Sequence, residues 1–242
     1  MICLGVENLS YTYPQGTTAL KEVGFTIQAG SCLGIIGLNG CGKTTLCYCL
    51  CGIIPHFYKG AMEGRVLVNG SETRDHSLHT MAEEIGIVLQ DPNDQLLMPT
   101  VEDELAFSLE NHRVPRVEMQ KRIYRIMDRL GITGLKDEHP HRLSGGEKQL
   151  VALAAVLTLD PSIIVFDESL SMLDAQASQR FKAMMKKLKE QQKTLVIVDH
   201  TLQAFDLFDQ VLVLEKGRVI FHGDGDALRK DREFLKTHQL IM

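Results

Sequence analysis

The octapeptide Gly37-Leu38-Asn39-Gly40-Cys41-Gly42-Lys43-Thr44 limits what this chain can fold into more than any other stretch. It follows the continuous apolar run Cys32–Ile36 and leads into Thr44–Cys51, which reads as a helix. A buried strand, a glycine-rich turn and a helix, in that order, make a phosphate cradle. Gly37, Gly40 and Gly42 let backbone N–H groups turn inward, and the start of the helix aims its positive end at the same point. Lys43 adds a mobile positive charge, and Thr44 a hydroxyl suited to Mg²⁺. Asn39, Cys41 and Thr45 complete the loop and the first helical turn, so they join the nucleotide-binding candidates. The bland alternative is a glycine-rich turn that contains Lys-Thr by chance; the flanking strand and helix argue against it.

The rest of the chain supplies a sheet for that cradle. Met1–Leu9, Gly24–Ile27, Gly64–Asn69 and Ile85–Gln90 read as further strands. From about 91 to 160 the pattern becomes helical: Val101–Asn111, Val117–Leu130, and Gly145–Leu159 stopped by Asp160-Pro161. Beyond it, Ile163–Phe166 and Leu195–Val198 flank the helix Ala175–Gln191. Strands buried on both faces and alternating with a helix imply a parallel sheet. Val211–Leu214 and Arg218–Phe221 close the chain as a hairpin around Glu215-Lys216-Gly217. A length of 242 residues suits one α/β domain, 1–242, with the helical block inserted.

Other candidate residues stand at the carboxyl ends of these strands, where α/β sheets bind ligands. Asp167-Glu168 ends Ile163–Phe166. Asp167 is placed to hold Mg²⁺ and Glu168 to polarise a water. His200 ends the next strand, where an imidazole can contact a γ-phosphate. Gln90 ends Ile85–Leu89, within reach of a metal or water, and the residues alone leave its role open. Tyr13 is equally open between stacking on adenine and plain partial burial. Leu143-Ser144-Gly145-Gly146-Glu147 opens a helix with a serine cap and two glycines, a second anion-receptive terminus.

Several function classes fall away. The net charge is -5 and Lys and Arg are scattered, which argues against nucleic acid as a partner. The longest apolar run, near Leu150–Leu159, is far short of the roughly 20 residues that span a bilayer. No signal peptide is recognisable, so a cytoplasmic location is expected. Cysteines crowd the loop and the next helix, at 41, 47, 49 and 51. Cys47 and Cys51 share a helix face and Cys49 does not, so a metal cluster is not expected; small buried residues explain them.

Taken together these elements resemble the nucleotide-binding subunits of ABC transporters. Ser144-Gly145-Gly146 is similar to their signature motif, Asp167-Glu168 to the Walker B end, and Leu173-Asp174 to the D-loop. His200 matches the switch histidine, Gln90 the Q-loop glutamine and Tyr13 the adenine-stacking aromatic. The resemblance runs from about residue 2 to 240. It implies a P-loop NTPase core of RecA type, an N-terminal antiparallel β subdomain and an inserted helical subdomain. It also implies ATP and Mg²⁺, with each ATP held between one chain's phosphate loop and a second chain's signature residues. Closure of that dimer would move integral membrane subunits contacted by the helical insert, which puts the chain peripherally on the cytoplasmic face of the membrane. A second ATPase, the same chain or a paralogue, is therefore an expected partner.

A narrower resemblance, to energy-coupling-factor and cobalt-type importer ATPases, rests on Gln90-Asp91-Pro92-Asn93-Asp94-Gln95-Leu96, Thr100–Phe107 and Ile54-Pro55-His56-Phe57. Such importers take up vitamins or transition-metal ions. Three departures stand out. Cys41 replaces a usual serine, which makes oxidation-sensitive ATP binding an expectation to test. Glu147 and Leu150 stand where glutamine and arginine are common, and Ser169-Leu170 where Pro-Thr is. The competing readings are a soluble ABC ATPase acting on nucleic acid or ribosomes, which usually needs long inserts or two fused domains, and a P-loop kinase, which needs no signature motif.

Overall fold

The computed structural model describes residues 1–200 and 203–240. Alternation of buried and exposed residues builds the first sheet: along β2 (Thr18–Gln28) Val23, Phe25 and Ile27 turn inward while their neighbours face solvent. β2 pairs antiparallel with β1 (Ile2–Thr12), which also pairs with β4 (Ala61–Val68), and the short β5 (Ser71–Glu72) ends the order β2-β1-β4-β5.

The second sheet runs β10-β9-β3-β8-β7-β6. β3 (Cys32–Ile36), β6 (Ile85–Val88), β7 (Ile163–Asp167), β8 (Thr194–Val198) and β9 (Gln210–Glu215) are parallel, and β10 (Arg218–Asp224) turns back along β9. Every residue of β3, β7 and β8 is buried, because both faces of this sheet are covered. Along β3, Leu33 and Ile35 enter the core shared with the antiparallel sheet and α1 (Lys43–Leu50), while Cys32 and Ile36 enter the core under the helices. Two cores thus meet through one central sheet.

Short helices follow α1: α2 (Ile53–His56) and α3 (Leu78–Glu84), the latter capped by Ser77. Between β6 and β7 lie α4 (Val101–Asn111), α5 (Arg116–Leu130) and α6 (Gly145–Leu157). Thr100 caps α4, Gly131 ends α5 in the left-handed conformation, and α6 sinks Val151, Ala152, Leu153 and Ala154 into the core. α7 (Ala175–Glu190) covers the sheet before β8, and α8 (Gly225–Lys230) and α9 (Arg232–Thr237) follow β10. The helices α2, α3, α8 and α9 and the strand β5 are absent from the sequence expectations; each is at most seven residues long, too short to show a period.

Candidate nucleotide site at the carboxyl edge of the sheet

The order β3-β8-β7-β6 sets four strand ends side by side, and each carries one part of the site. The loop 37–42 leaves β3, His200 follows β8, Asp167 ends β7 and Gln90 follows β6. Sequence reading placed each residue at a strand terminus; the sheet makes the termini neighbours.

Two glycines fix the loop. At Gly37 (φ +155) a Cβ would stand 2.3 Å from the Leu214 carbonyl, and at Gly42 (φ +111) one would stand 2.6 Å from that of Ala19. Gly42 is also the N-cap of α1, so the helix begins directly under the loop. The Gly217 N–H donates to the Cys41 carbonyl at 3.0 Å, bracing the loop from the β9–β10 turn.

Lys43 is 4% exposed, and its Nζ donates to the carbonyls of Gly37 at 3.0 Å and Leu38 at 3.1 Å. The same ammonium lies 3.3 Å from Glu168 Oε1, and His200 Nδ1 lies 3.2 Å from Glu168 Oε2. Glu168 reaches both from a left-handed backbone (φ +49), a conformation that costs a non-glycine residue about 1–3 kcal/mol. A carboxylate therefore fills the space beside the loop lysine where a terminal phosphate would be drawn.

Asp167 lies behind it, buried, accepting from the Thr44 hydroxyl at 3.3 Å. Desolvation pushes its carboxyl up to about 6; the Thr44 hydrogen bond and the Lys43 charge oppose that rise, and the neighbouring Glu168 adds to it. A buried carboxylate with one hydroxyl partner among the described residues is chemically suited to a hard cation, so the residues present fit Mg²⁺. The Gln90 amide Nε2 donates to Ser171 Oγ at 3.5 Å, and that hydroxyl donates to the Glu168 carbonyl at 2.7 Å.

Above the loop opens a cleft of about 1140 Å³, counting its open mouth, lined by Tyr13, Lys43, Thr44, Thr45, Gln90 and Glu168 among others. Tyr13 meets Tyr11 edge-on at 4.8 Å, and its hydroxyl is 3.0 Å from that of Thr45. Lys21 and Lys216 also line the cleft and were missed from the sequence. Lys216 was legible as part of a turn, but only the pairing of β9 with β3 brings that turn to the loop.

Ser144, Gly145 and Gly146 are not brought to this cleft. They start α6, with Ser144 and Gly145 exposed. Ser144 and Glu147 cap each other: the Ser144 N–H and hydroxyl donate to Glu147 Oε2 at 2.9 and 2.7 Å, which holds the carboxyl below its usual range. The chain thus holds two anion-receptive elements facing separate space.

Cys41 is 7% exposed, and burial pushes its thiol up, with Lys43 acting the other way. A thiol held protonated reacts slowly with oxidants, which argues against an oxidation-sensitive loop. All six cysteines are free and buried, and no group of three or more His, Cys, Asp or Glu side chains that could hold a metal ion occurs among the described residues.

A second depression, of about 880 Å³, lies where α3, β6, α4 and α6 meet; Leu78, Ala82, Phe107, Val156 and Leu159 make it largely apolar. Phe107 is exposed there, and Leu97 stands exposed just before α4. No described helix is long and apolar enough to cross a membrane.

The family model for ABC transporters matches residues 20–171. The chain is 37% identical over 227 residues to the energy-coupling factor transporter ATP-binding protein EcfA of Methanosarcina acetivorans, covering 93% of this chain and 81% of the relative. It is 40% identical over 234 residues to EcfA1 of Halalkalibacterium halodurans, covering 96% and 82%. Among solved structures, CbiO1 from Clostridium perfringens, part of the ABC transporter complex CbiONQ, superposes with a TM-score of 0.83 at 32% identity. That match covers 100% of this chain and 96% of CbiO1.

Proposed function

The chain belongs to the ABC transporter family, as an ATPase whose hydrolysis of ATP powers transport, and from that premise we propose that it drives an energy-coupling-factor-type importer taking up a vitamin or a transition-metal ion. Its membrane subunits are separate chains, docked in the apolar groove between α3, α4 and α6, and the ATPase sits peripherally on the cytoplasmic face. The fold is that of a P-loop NTPase.

The observation that carries the catalytic reading is the convergence of Lys43, Glu168 and His200 within 3.3 Å contacts at one strand edge. Entering ATP stacks its adenine on Tyr13 and lays its phosphates along Gly37, Asn39, Gly40, Cys41, Gly42 and Thr45. Its terminal phosphate replaces the Glu168 carboxylate at Lys43. Glu168, released from that ion pair, accepts a proton from the attacking water as the water oxygen bonds to the terminal phosphorus and the bond from that phosphorus to the β-phosphate oxygen breaks, releasing ADP and phosphate; His200 and Gln90 hold the water in line. Thr44, Asp167 and Gln90 are the residues that would hold Mg²⁺, which would supply positive charge to neutralise the phosphate oxygens. Ser144, Gly145 and Gly146 serve a second chain's nucleotide, because they stand at a helix terminus outside this chain's own cleft.

Isolation of the tagged chain from native membranes tests the transport reading. A hydrophobic membrane subunit should accompany it in stoichiometric amount. Recovery of the chain alone, or with nucleic acid or ribosomes, would favour a soluble ATPase instead.

A further inference from the structure

Gln149 lies on α6 and is completely buried. Its amide Nε2 donates to the carbonyls of Leu89 at 3.2 Å and Gln90 at 3.0 Å. Its Oε1 is buried with no hydrogen-bond partner among the described residues. Burying an amide whose oxygen stays unsatisfied costs free energy that an apolar side chain would not. What that cost secures is a link between two parts of the site. Leu89 and Gln90 leave the end of β6, in the central sheet, whereas α6 begins at Ser144 and belongs to the helical block. A second tie runs beside it, from Lys148 Nζ to Asn93 Oδ1 at 2.9 Å. On the far side of Gln90, its own amide reaches Ser171, which is bonded to the Glu168 carbonyl.

We propose that Gln149 is a positioning residue for hydrolysis: it clamps the backbone of Leu89 and Gln90 to the helix that presents Ser144, so Gln90 moves with that helix. The inference rests on the reading of Gln90 as a site residue.

The test is a double-mutant cycle on steady-state ATP turnover, with the partner ATPase supplied if one is required. Gln149→Met keeps side-chain length and removes both donors. It is expected to lower kcat at least tenfold with KM for ATP within about twofold of wild type. Gln90→Ala is expected to lower kcat similarly, and the double variant to lie within about twofold of Gln90→Ala alone. Gln149→Asn, which keeps the amide but withdraws its reach, replaces Met in the cycle should the Met variant not fold. Losses that multiply in the double variant, or normal kcat in the folded Gln149 variant beside an impaired Gln90→Ala, overturn the positioning role. Normal kcat in Gln90→Ala removes Gln90 itself from the site, a different failure.

Discussion

Replacing Asp167 by Asn is expected to stabilise the nucleotide-free chain while abolishing its turnover. Asp167 is 3% exposed, and its carboxyl rises from 3.8 to about 6, with desolvation the main cause. The folded value lies above the unfolded one, so the ionised form is disfavoured by folding. That penalty is absent below the unfolded value, grows as pH rises, and is complete above about 6. A shift of about two units at about 1.4 kcal/mol each gives an upper bound near 3 kcal/mol, and about 1–3 kcal/mol is a fair range. Asn retains the acceptor for the Thr44 hydroxyl, so that hydrogen bond need not be lost. At roughly 2–4 °C per kcal/mol, Asp167→Asn should melt about 2–12 °C above wild type at pH 8 without Mg²⁺ or ATP. The gain should shrink to about a third at pH 4.5. Circular dichroism melts at the two pH values measure it, and added Mg²⁺ with ATP should stabilise the wild type more than the variant. A variant no more stable at pH 8, or equally more stable at both pH values, would show that burial does not penalise the ionised Asp167 carboxylate.

Other outcomes follow from the same contacts. Glu168→Gln removes the carboxylate that competes for Lys43, so titration with a fluorescent nucleotide should show ATP binding about 3–10-fold tighter, while turnover falls on the order of 10²-fold or more. Unchanged affinity would show that the resting ion pair does not oppose ATP entry. Tyr13→Phe should bind ATP within about twofold of wild type and Tyr13→Ala about tenfold more weakly, from lost stacking; equal affinity in both removes Tyr13 from the adenine pocket. Hydrogen peroxide should leave ATP affinity of the native protein unchanged, because Cys41 is buried with its thiol pushed up; weakened binding that Cys41→Ser prevents would contradict this.

The loop, Asp167, Glu168 and His200 were legible because each ends an apolar run or interrupts one with glycine. Periodicity and strand ends are local signals. The neighbour relations were not local: β6, β7 and β8 lie far apart in sequence, and nothing in Ile85–Val88 says that it pairs with Ile163–Phe166. β4 shows a related limit. Its first half, Ala61–Glu63, is mostly exposed, and Gly64 has φ +74 where β1 shifts register, so the apolar signal begins only at Gly64. The polar ties that shape the segment after β6 left no sequence signal either. Glu104 accepts from the N–H groups of Leu97 and Met98, Gln95 bonds both Leu89 and Ile87, and Gln149 bonds Leu89 and Gln90. Each reads in sequence as an ordinary polar residue of a loop or helix, and only burial against backbone carbonyls and amides gives it a task.

In the proposed dimer, the phosphate loop of one chain is completed by the Ser144 helix of another. Sedimentation velocity of the Glu168→Gln variant, with and without ATP and Mg²⁺, tests it most directly. The variant should be a monomer without nucleotide, form a stable dimer with ATP, and lose that dimer when Ser144→Arg is added in the same chain. A variant that stays monomeric with its loop saturated by ATP, or a dimer indifferent to Ser144→Arg, would contradict it.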